Sequence, residues 1–260
     1  MPSRSVIQYI TEDRIAQITL NRPEKRNAIT YELIRALNQS LREAKEDEAV
    51  RAVVITGAGS AFCAGLDLSV VGNMEPVALR EFMATFYGEM TDIQRGLGKP
   101  TIAALNGHTL AAGCTIAFSC DLIVASEAAR IGYPEINVGL MPSLHLVLLP
   151  QLVGRYRAFE LCLSGEPITA KEAFRWGMIN RVVPPDELKT AAREMAQKLA
   201  SKSPLLVKYC KDTFYQSMDM DFKKAIMAAA DILCLARSSQ DSDEGLNAFL
   251  EKRPPVWKGR

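Results

Sequence analysis

The chain of 260 residues has few of the residues on which many metal sites and nucleophilic triads depend. It contains only two histidines, His108 and His145, and its six cysteines form no C-x-x-C pair. Two histidines far apart in sequence leave little material for a histidine-rich metal site or a Ser-His-Asp triad. We therefore expect no metal, interpret His108 as a packed or solvated residue, and leave the role of His145 open.

Several nucleotide-binding and ester-hydrolysing motifs are also missing. The glycines of VVITGAGSAFCAG follow a predicted strand, but Phe62 stands where the G-x-G-x-x-G fingerprint requires glycine. Neither a P-loop nor a G-x-S-x-G elbow occurs in the chain. These absences argue against a dinucleotide-binding protein, a P-loop NTPase and an α/β-hydrolase.

The chain has no excess of charge of either sign. Its 31 Lys and Arg residues balance 30 Asp and Glu residues, so we expect neither a nucleic-acid partner nor a membrane partner. The weakly charged stretches 101–120 and 136–154 contain Asn106-Gly107 and two prolines, respectively, and are interpreted as buried core. The scattered cysteines and the lack of an apolar N-terminal stretch predict a cytoplasmic location.

The order of apolar segments predicts an α/β protein. VIQYI and IAQITL are typical of a hairpin, and TYELIRALNQSLREAKED has helical spacing with Thr30 as the N-cap. Short apolar strands then alternate with helices, which indicates a largely parallel sheet covered by helices. From about Pro184 the pattern is helical. We predict an α/β core over 1–195 and a helical C-terminal subdomain over 196–260.

Three segments rich in small residues combine into a more specific pattern. AFCAGLDL, NGHTLAAGC and YPEINVGLMP follow one another along the core. With LNRPEKRNAIT, GEPITAKEAFRWGMINRVVP and LNAFLEKRPPVWKG, they resemble the enoyl-CoA hydratase/isomerase (crotonase) family over nearly the whole chain. The resemblance implies a crotonase-like spiral core of ββα units, a C-terminal trimerisation subdomain, and homo-trimers or hexamers built as dimers of trimers.

The resemblance also implies an oxyanion hole made of two backbone amides. Removal of a proton beside a thioester carbonyl places negative charge on the carbonyl oxygen, and N–H donors fixed in advance stabilise that charge. By position in the motifs, these donors are Leu66 and Ala112. The small residues Ala111, Ala112 and Gly113 are then expected to keep side chains away from the ligand.

The same resemblance assigns a binding surface for coenzyme A, which is part of the substrate, so we expect no separate cofactor. Basic residues in the matching motifs would meet the nucleotide end and the phosphates, and other residues would surround the adenine, pantetheine and acyl parts. The implied residues are Arg22, Lys25, Arg26, Ala28, Ala64, Asp67, Leu68, Gly113, Leu140, Met141, Phe249 and Lys252.

The acids differ from those of the family's hydratases, which use two glutamates. Glu135 matches one of them, but Thr115 occupies the position of the other. A threonine hydroxyl can orient water but does not replace a carboxylate as a base at neutral pH. One glutamate and an oxyanion hole resemble the family's isomerases that lack the first acid, with Glu135 carrying a proton from C2 to C4.

Three functions stay open at this point. The first is double-bond isomerisation of an enoyl-CoA by Glu135, and the second is a hydratase in which Thr115 positions water. The third is an acyl-CoA-binding protein without catalysis. Decarboxylation and thioester hydrolysis, other chemistries of the family, would use the same oxyanion hole.

Overall fold

A computed structural model describes residues 5–260 and contains two sheets surrounded by helices. The strands are β1 Ile7–Glu12, β2 Ile15–Leu20, β3 Ala52–Gly57, β4 Ala61–Cys63, β5 Thr101–Leu105, β6 His108–Leu110, β7 Leu122–Ser126, β8 Arg130–Gly132, β9 Ile168–Thr169 and β10 Arg181–Val183. The larger sheet has the order β1-β2-β3-β5-β7-β10 and the smaller one β4-β6-β8-β9. Only the β1–β2 and β8–β9 pairs among these strands are antiparallel.

The helices account for most of the remaining chain. They are α1 Tyr31–Glu46, α2 Leu68–Val71, α3 Pro76–Met83, α4 Met90–Arg95, α5 Ala112–Phe118, α6 His145–Val153, α7 Arg155–Ser164, α8 Ala170–Arg175, α9 Leu188–Ala200, α10 Pro204–Ser217, α11 Phe222–Arg237 and α12 Gln240–Leu250. A π-helical stretch, Ala84–Glu89, joins α3 to α4, and short 3-10 helices occur at Pro23–Lys25, Pro134–Val138 and Pro185–Glu187.

Successive strands alternate between the two sheets. The chain passes from β3 to β4, from β5 to β6 and from β7 to β8, so each of these three strands of the large sheet is followed by one of the small sheet. This repeat is the spiral of ββα units that was predicted, and the hairpin is confirmed as β1 and β2. The strand ends that carry the small-residue motifs therefore lie side by side in the small sheet.

Helix α1 shows how the sequence pattern fixes this packing. The Thr30 side chain accepts a hydrogen bond from the Leu33 amide, which confirms the predicted N-cap. Leu33, Leu37 and Leu41 are fully buried and share one face because they are spaced by four residues. The helix therefore covers the sheet with its apolar side.

The predicted boundary after residue 195 falls inside α9, Leu188–Ala200. Ala192, Ala196 and Ala200 of this helix are buried in one cluster with residues of β3, β5 and β7. Because small side chains let α9 lie close to the sheet, the helix belongs to the α/β core. Helices α10, α11 and α12 follow it along the chain, and the division into two domains stays a prediction.

A buried ion pair joins α10 to the core. Lys211 Nζ lies 2.7 Å from Asp121 Oδ2, and it also donates to the Lys99 carbonyl oxygen at 3.0 Å. The Tyr215 hydroxyl donates to the other oxygen of Asp121 at 2.7 Å. Since a buried charge is costly without partners, these contacts fix the position of α10 beside β5 and β7.

Large apolar side chains are exposed beyond α10. Helix α11 contains no buried residue, and Phe222, Leu233, Phe249 and Leu250 are each at least 70% exposed. Apolar surface of this extent is typical of an interface between protein chains. The thiols follow the same division: Cys63, Cys114, Cys120 and Cys162 are buried, whereas Cys210 and Cys234 on α10 and α11 are exposed.

Candidate active site

Glu135 lies at the start of the 3-10 helix that follows β8. The residue is half-buried, and its Oε2 atom is buried without a hydrogen-bond partner among residues 5–260. Burial raises the pKa of this carboxyl group to about 7, because desolvation disfavours the charged form. A carboxyl group with this pKa exchanges protons readily near neutral pH.

The amide of Leu66 is directed away from its neighbouring strand. On either side of it, the Ile29 amide donates to the Gly65 carbonyl at 2.8 Å and the Asp67 amide donates to the Ile29 carbonyl at 2.9 Å. In an extended segment, successive amides point to opposite sides. The Leu66 N–H therefore points away from Ile29, and it has no acceptor in the part of the chain described.

The second amide, that of Ala112, is the first in α5. The first amides of a helix have no acceptor within the helix. Ala111, which precedes it, has φ 52° and ψ −125°, a backbone conformation unusual for a residue with a Cβ atom. Gly65 lies beside this turn, since a Cβ atom added to it would be 3.5 Å from the Ala112 nitrogen. The amides at 66 and 112 thus belong to adjoining turns.

Two glycines near this turn are required by packing. A Cβ atom on Gly113 would lie 2.3 Å from the Cys63 carbonyl oxygen, and one on Gly107 would lie 2.0 Å from that of Ser60. Both distances are far below a normal contact. Gly113 therefore lets α5 approach the β4 backbone, and its predicted place beside the ligand stays a prediction.

Thr115 has a partner that the sequence did not reveal. Its Oγ1 atom lies 3.0 Å from His145 Nε2, and His145 Nδ1 lies 2.9 Å from the Tyr133 hydroxyl. All three side chains are buried, with exposures of 0%, 2% and 0%. Burial lowers the pKa of His145 to about 3, so the imidazole is neutral at physiological pH.

Three of the residues assigned to coenzyme A contact one another within the chain. The Arg22 guanidinium pairs with Asp67 at 3.2 Å and donates to the Ala28 carbonyl oxygen at 2.5 Å. Both side chains are less than 20% exposed. Arg22 and Asp67 thus neutralise each other within the chain, and their predicted contacts with coenzyme A stay predictions.

The buried Asn27 side chain also has a structural role. Its side-chain amide donates to the carbonyl oxygens of Ala58, Ala61 and Phe62, and its Oδ1 accepts from the Arg22 amide. These bonds join the segment after β2 to the loop between β3 and β4. The Ala64 amide extends the contact by donating to the Arg26 carbonyl at 3.0 Å.

The other predicted ligand contacts are on the surface of the single chain. Lys25, Arg26, Leu68, Phe249 and Lys252 are exposed, whereas Ala28 and Ala64 are half-buried. Within residues 5–260 no hydrogen bond or ion pair joins 249–252 to 22–28. The structure of one chain therefore does not bring the two predicted phosphate-binding segments together.

The segment after Glu135 turns back on it. The Leu140 amide donates to the Glu135 carbonyl oxygen at 3.0 Å. The side chains of Leu140 and Met141, predicted to line the acyl pocket, are 37% and 62% exposed. Burial and, to a smaller extent, the negative charge of Glu135 raise the pKa of Tyr87, which lies on the π-helical stretch.

Sequence reasoning missed Tyr133 and left His145 unassigned. Tyr133 precedes Pro134 in the YPEI motif, but nothing in the spacing connects it to a histidine 12 positions later or to a threonine 18 positions earlier. The contact depends on tertiary packing that brings the first residue of α6 to α5 and to the segment after β8. His108 is exposed on β6, in agreement with its interpretation as a solvated residue.

The described chain has neither a membrane-spanning helix nor a cluster of metal-binding side chains. Across residues 5–260, no helix is long and apolar enough to cross a membrane. In the same range, no three His, Cys, Asp or Glu side chains are arranged to hold a metal ion. The expected lack of a metal remains a prediction.

Comparison with known proteins identifies the family. A family model described as enoyl-CoA hydratase/isomerase matches residues 11–260. The 2,3-dehydroadipyl-CoA hydratase of Escherichia coli is 36% identical, over 96% of this chain and 97% of that protein. The crotonyl-CoA hydratase of Syntrophomonas wolfei is 35% identical, over 93% and 94% of the two chains.

Solved structures agree with the relatives. The enoyl-CoA hydratase of Bacillus anthracis superposes with a TM-score of 0.93 at 32% identity, and covers 98% of this chain and 100% of its own. The crotonase fold predicted from the motifs is therefore confirmed. Since family model, relatives and fold agree over nearly the full length, the chain belongs to the enoyl-CoA hydratase/isomerase family of acyl-CoA enzymes.

Proposed function

We propose that the protein moves a carbon–carbon double bond in an enoyl-CoA thioester. Glu135 takes a proton from C2 of a 3-enoyl-CoA and returns it at C4. The amides of Leu66 and Ala112 hold the negative charge that develops on the thioester oxygen. Only one proton carrier is needed, because the same carboxyl group performs both transfers.

The observation that carries this proposal is the state of Glu135. Its Oε2 atom is buried without a partner and its pKa is near 7, as suits a group that alternates between base and acid. No neighbouring charge contributes to that shift among the described residues. Thr115, in the place of the second acid, is paired with a neutral histidine.

The pH profile of the reaction tests the role of Glu135. We expect kcat/KM to fall about tenfold per pH unit below about 7 and to level off above it, because protonated Glu135 cannot accept the C2 proton. Initial rates with a straight-chain 3-enoyl-CoA across the pH range measure this. If kcat/KM begins to fall only near pH 4.5, the ordinary pKa of glutamate, the assignment is contradicted.

Hydration of a 2-enoyl-CoA is the second candidate. It is favoured by the polar hydroxyl of Thr115 at the position of the second acid, and by similarity to relatives such as the crotonyl-CoA hydratase of Syntrophomonas wolfei. In this reaction Thr115 would hold the water that attacks C3, while Glu135 would exchange the proton at C2. The amides at 66 and 112 would act in the same way.

A panel of thioesters separates these functions. We expect the purified protein to convert 3-enoyl-CoA to 2-enoyl-CoA faster than it hydrates 2-enoyl-CoA, because it has one carboxyl group at the site. Chromatography of the products with both substrates at saturation measures the two rates. Faster hydration would favour the hydratase, and saturable binding without turnover would favour an acyl-CoA-binding protein.

Coenzyme A is proposed to bind as part of the substrate, with no additional cofactor. Lys25 and Arg26 are exposed cations and are proposed to meet the phosphates. Phe249 and Lys252 are proposed to contribute from a neighbouring subunit, because no bond joins them to 22–28 within one chain over residues 5–260. We also propose a cytoplasmic location.

We expect the protein to be a homo-trimer or a hexamer. Helix α11 has no buried residue, and Phe222 and Phe249 are more than 80% exposed, so a single chain would leave much apolar surface in water. Light scattering of the purified protein gives the mass of the assembly. A monomer at micromolar concentration would contradict this expectation.

A further inference from the structure

A polar cavity of about 320 Å³ is enclosed by side chains of α1 and of the π-helical stretch. Its lining consists of Tyr31, Arg35, Asn38, Gln39, Arg42, Thr85 and Glu89. The volume is at the lower end of the range of small-molecule sites, most of which are lined by apolar side chains. No residue assigned to the active site or to coenzyme A is part of this lining. The cavity is therefore separate from the proposed active site and suits a polar ligand.

The spacing of the lining residues explains why they meet. Tyr31, Arg35 and Arg42 are separated by four and seven residues, so they lie along one face of α1. Thr85 and Glu89, four residues apart, face them from the π-helical stretch. Short π-helical segments within helices occur frequently at functional sites.

Asn38 is the innermost residue of the lining. It is 1% exposed, whereas the other six residues are half-buried or exposed. Neither its Oδ1 nor its Nδ2 atom has a hydrogen-bond partner among residues 5–260. A side-chain amide carries two donor hydrogens and an acceptor oxygen, and burying them unpaired is costly. A ligand in the cavity would supply the partner that the chain does not.

The cavity carries one positive charge in excess. Arg42 pairs with Glu89, the one acidic residue of the lining. Arg35 has no acidic partner over residues 5–260. Its guanidinium group lies 4.4 Å from the centre of the Tyr31 ring and donates to the Tyr31 hydroxyl at 3.3 Å. Since a guanidinium group has five N–H donors, most of those of Arg35 stay available.

We propose that this cavity binds a phosphate group, either free phosphate or a small phosphate monoester, through Arg35 and the Asn38 amide. Hydrogen-bond donors exceed acceptors in the lining, and the excess charge is positive, so the ligand must be an anion rich in acceptors. Phosphate oxygens accept several such bonds at once, and arginine suits their geometry. The proposal does not depend on Glu135 or on the reaction with an enoyl-CoA.

Calorimetric titration of the full-length protein with inorganic phosphate and with glycerol 3-phosphate tests the proposal. We expect saturable binding of at least one of these probes. Tighter binding of glycerol 3-phosphate would identify an organic phosphate as the ligand, and equal or weaker binding would identify free phosphate. No saturable binding of either probe would overturn the proposal, whatever the activity toward enoyl-CoA.

Two variants locate the bound phosphate. Arg35→Gln and Asn38→Leu are each expected to lower the affinity about tenfold or more, the effect of losing a hydrogen bond to a charged group. Asn38→Leu should not lower the melting temperature, because the amide makes no bond within residues 5–260. Arg80→Gln is the control, since Arg80 is an exposed cation on α3 outside the lining, and it should leave the affinity unchanged.

The CoA-binding segment is the other place where phosphate could bind. Binding that is lost in Lys25→Gln but kept in Arg35→Gln and Asn38→Leu would belong to that segment and would overturn the proposal. Melting curves and light scattering verify the fold and assembly of each variant.

Glu89→Gln tests the sign of the charge on the ligand. It removes the one carboxylate of the lining and leaves the Arg42 guanidinium without its acidic partner. We expect the affinity for phosphate to rise about threefold or more, because a repulsive charge is lost and a cation becomes available. The same titration measures this effect. Weaker binding in Glu89→Gln would mean that the carboxylate holds the ligand, and it would overturn the assignment of an anion.

Discussion

Replacement of Glu135 by Gln is expected to lower kcat for double-bond migration by about two orders of magnitude or more. Gln has nearly the same shape but cannot take up a proton, and a sole general base contributes at least about 100-fold to the rate. KM should change little, because the proposed contacts with coenzyme A lie elsewhere. Single-turnover kinetics with a 3-enoyl-CoA measures the chemical step directly.

Glu166→Gln is a suitable control, since Glu166 is an exposed carboxyl group in the loop after α7. It should leave kcat unchanged. If Glu135→Gln keeps more than a tenth of the wild-type rate, another group carries the proton and the proposed mechanism is wrong.

The raised pKa of Glu135 also predicts how the stabilities of the wild type and of Glu135→Gln differ in their dependence on pH. The folded-state value of about 7 lies above the ordinary value of 4.5, so between these values the folded chain binds the proton more tightly than the unfolded chain. The free energy of unfolding of the wild type therefore falls as the pH rises through this window. The Gln variant lacks this loss, and a fall in its activity would not be explained by unfolding.

Gly65→Ala is expected to reduce kcat about 100-fold, an effect similar to removal of one oxyanion donor. Gly65 has φ +101°, which disfavours any residue with a Cβ atom, and the new atom would lie 2.8 Å from Ala111 Cβ. The turns that carry the Leu66 and Ala112 amides would have to separate. Binding of the substrate, measured by calorimetry with an unreactive acyl-CoA, should be affected much less than kcat.

Gly177→Ala is a control for the backbone strain of Gly65→Ala, because it also has an unfavourable positive φ, without the steric contact. Gly177 has φ +79°, but nothing lies within 4 Å of an added Cβ atom. This variant should lose some stability through its backbone and keep its kcat. Equal losses of activity in the two variants would mean that the amides need not be held together, contrary to the oxyanion assignment.

Much of the fold was predictable because local signals agreed with tertiary packing. The hairpin of β1 and β2, the Thr30 cap of α1 and the short apolar strands follow from alternation, capping and spacing. The packing of α9 against the sheet was not predictable in the same way. Helix α9 has the composition of the helices after it, and only its packing assigns it to the sheet.

The candidate site was predictable to the extent that one segment carries each group. Glu135 and the turns at 65–66 and 111–112 lie in short motifs, whereas the Tyr133–His145–Thr115 contact needs three separate segments. Arg22 shows what a motif alone leaves out: the sequence predicts a cation near the ligand, and the structure adds that Asp67 neutralises it. Sequence shows that a charge is present, and only packing shows whether another residue has already paired with it.

The distribution of thiols gives a direct way to observe assembly. Burial raises the pKa of Cys63 to about 12 and that of Cys114 above its usual range, so neither sulfur should react with an alkylating reagent while the core is intact. Cys210 and Cys234 are on the helices with the exposed apolar side chains. Protection of these two thiols in the concentrated protein, and their modification on dilution, would map the subunit contact by mass spectrometry without any substitution.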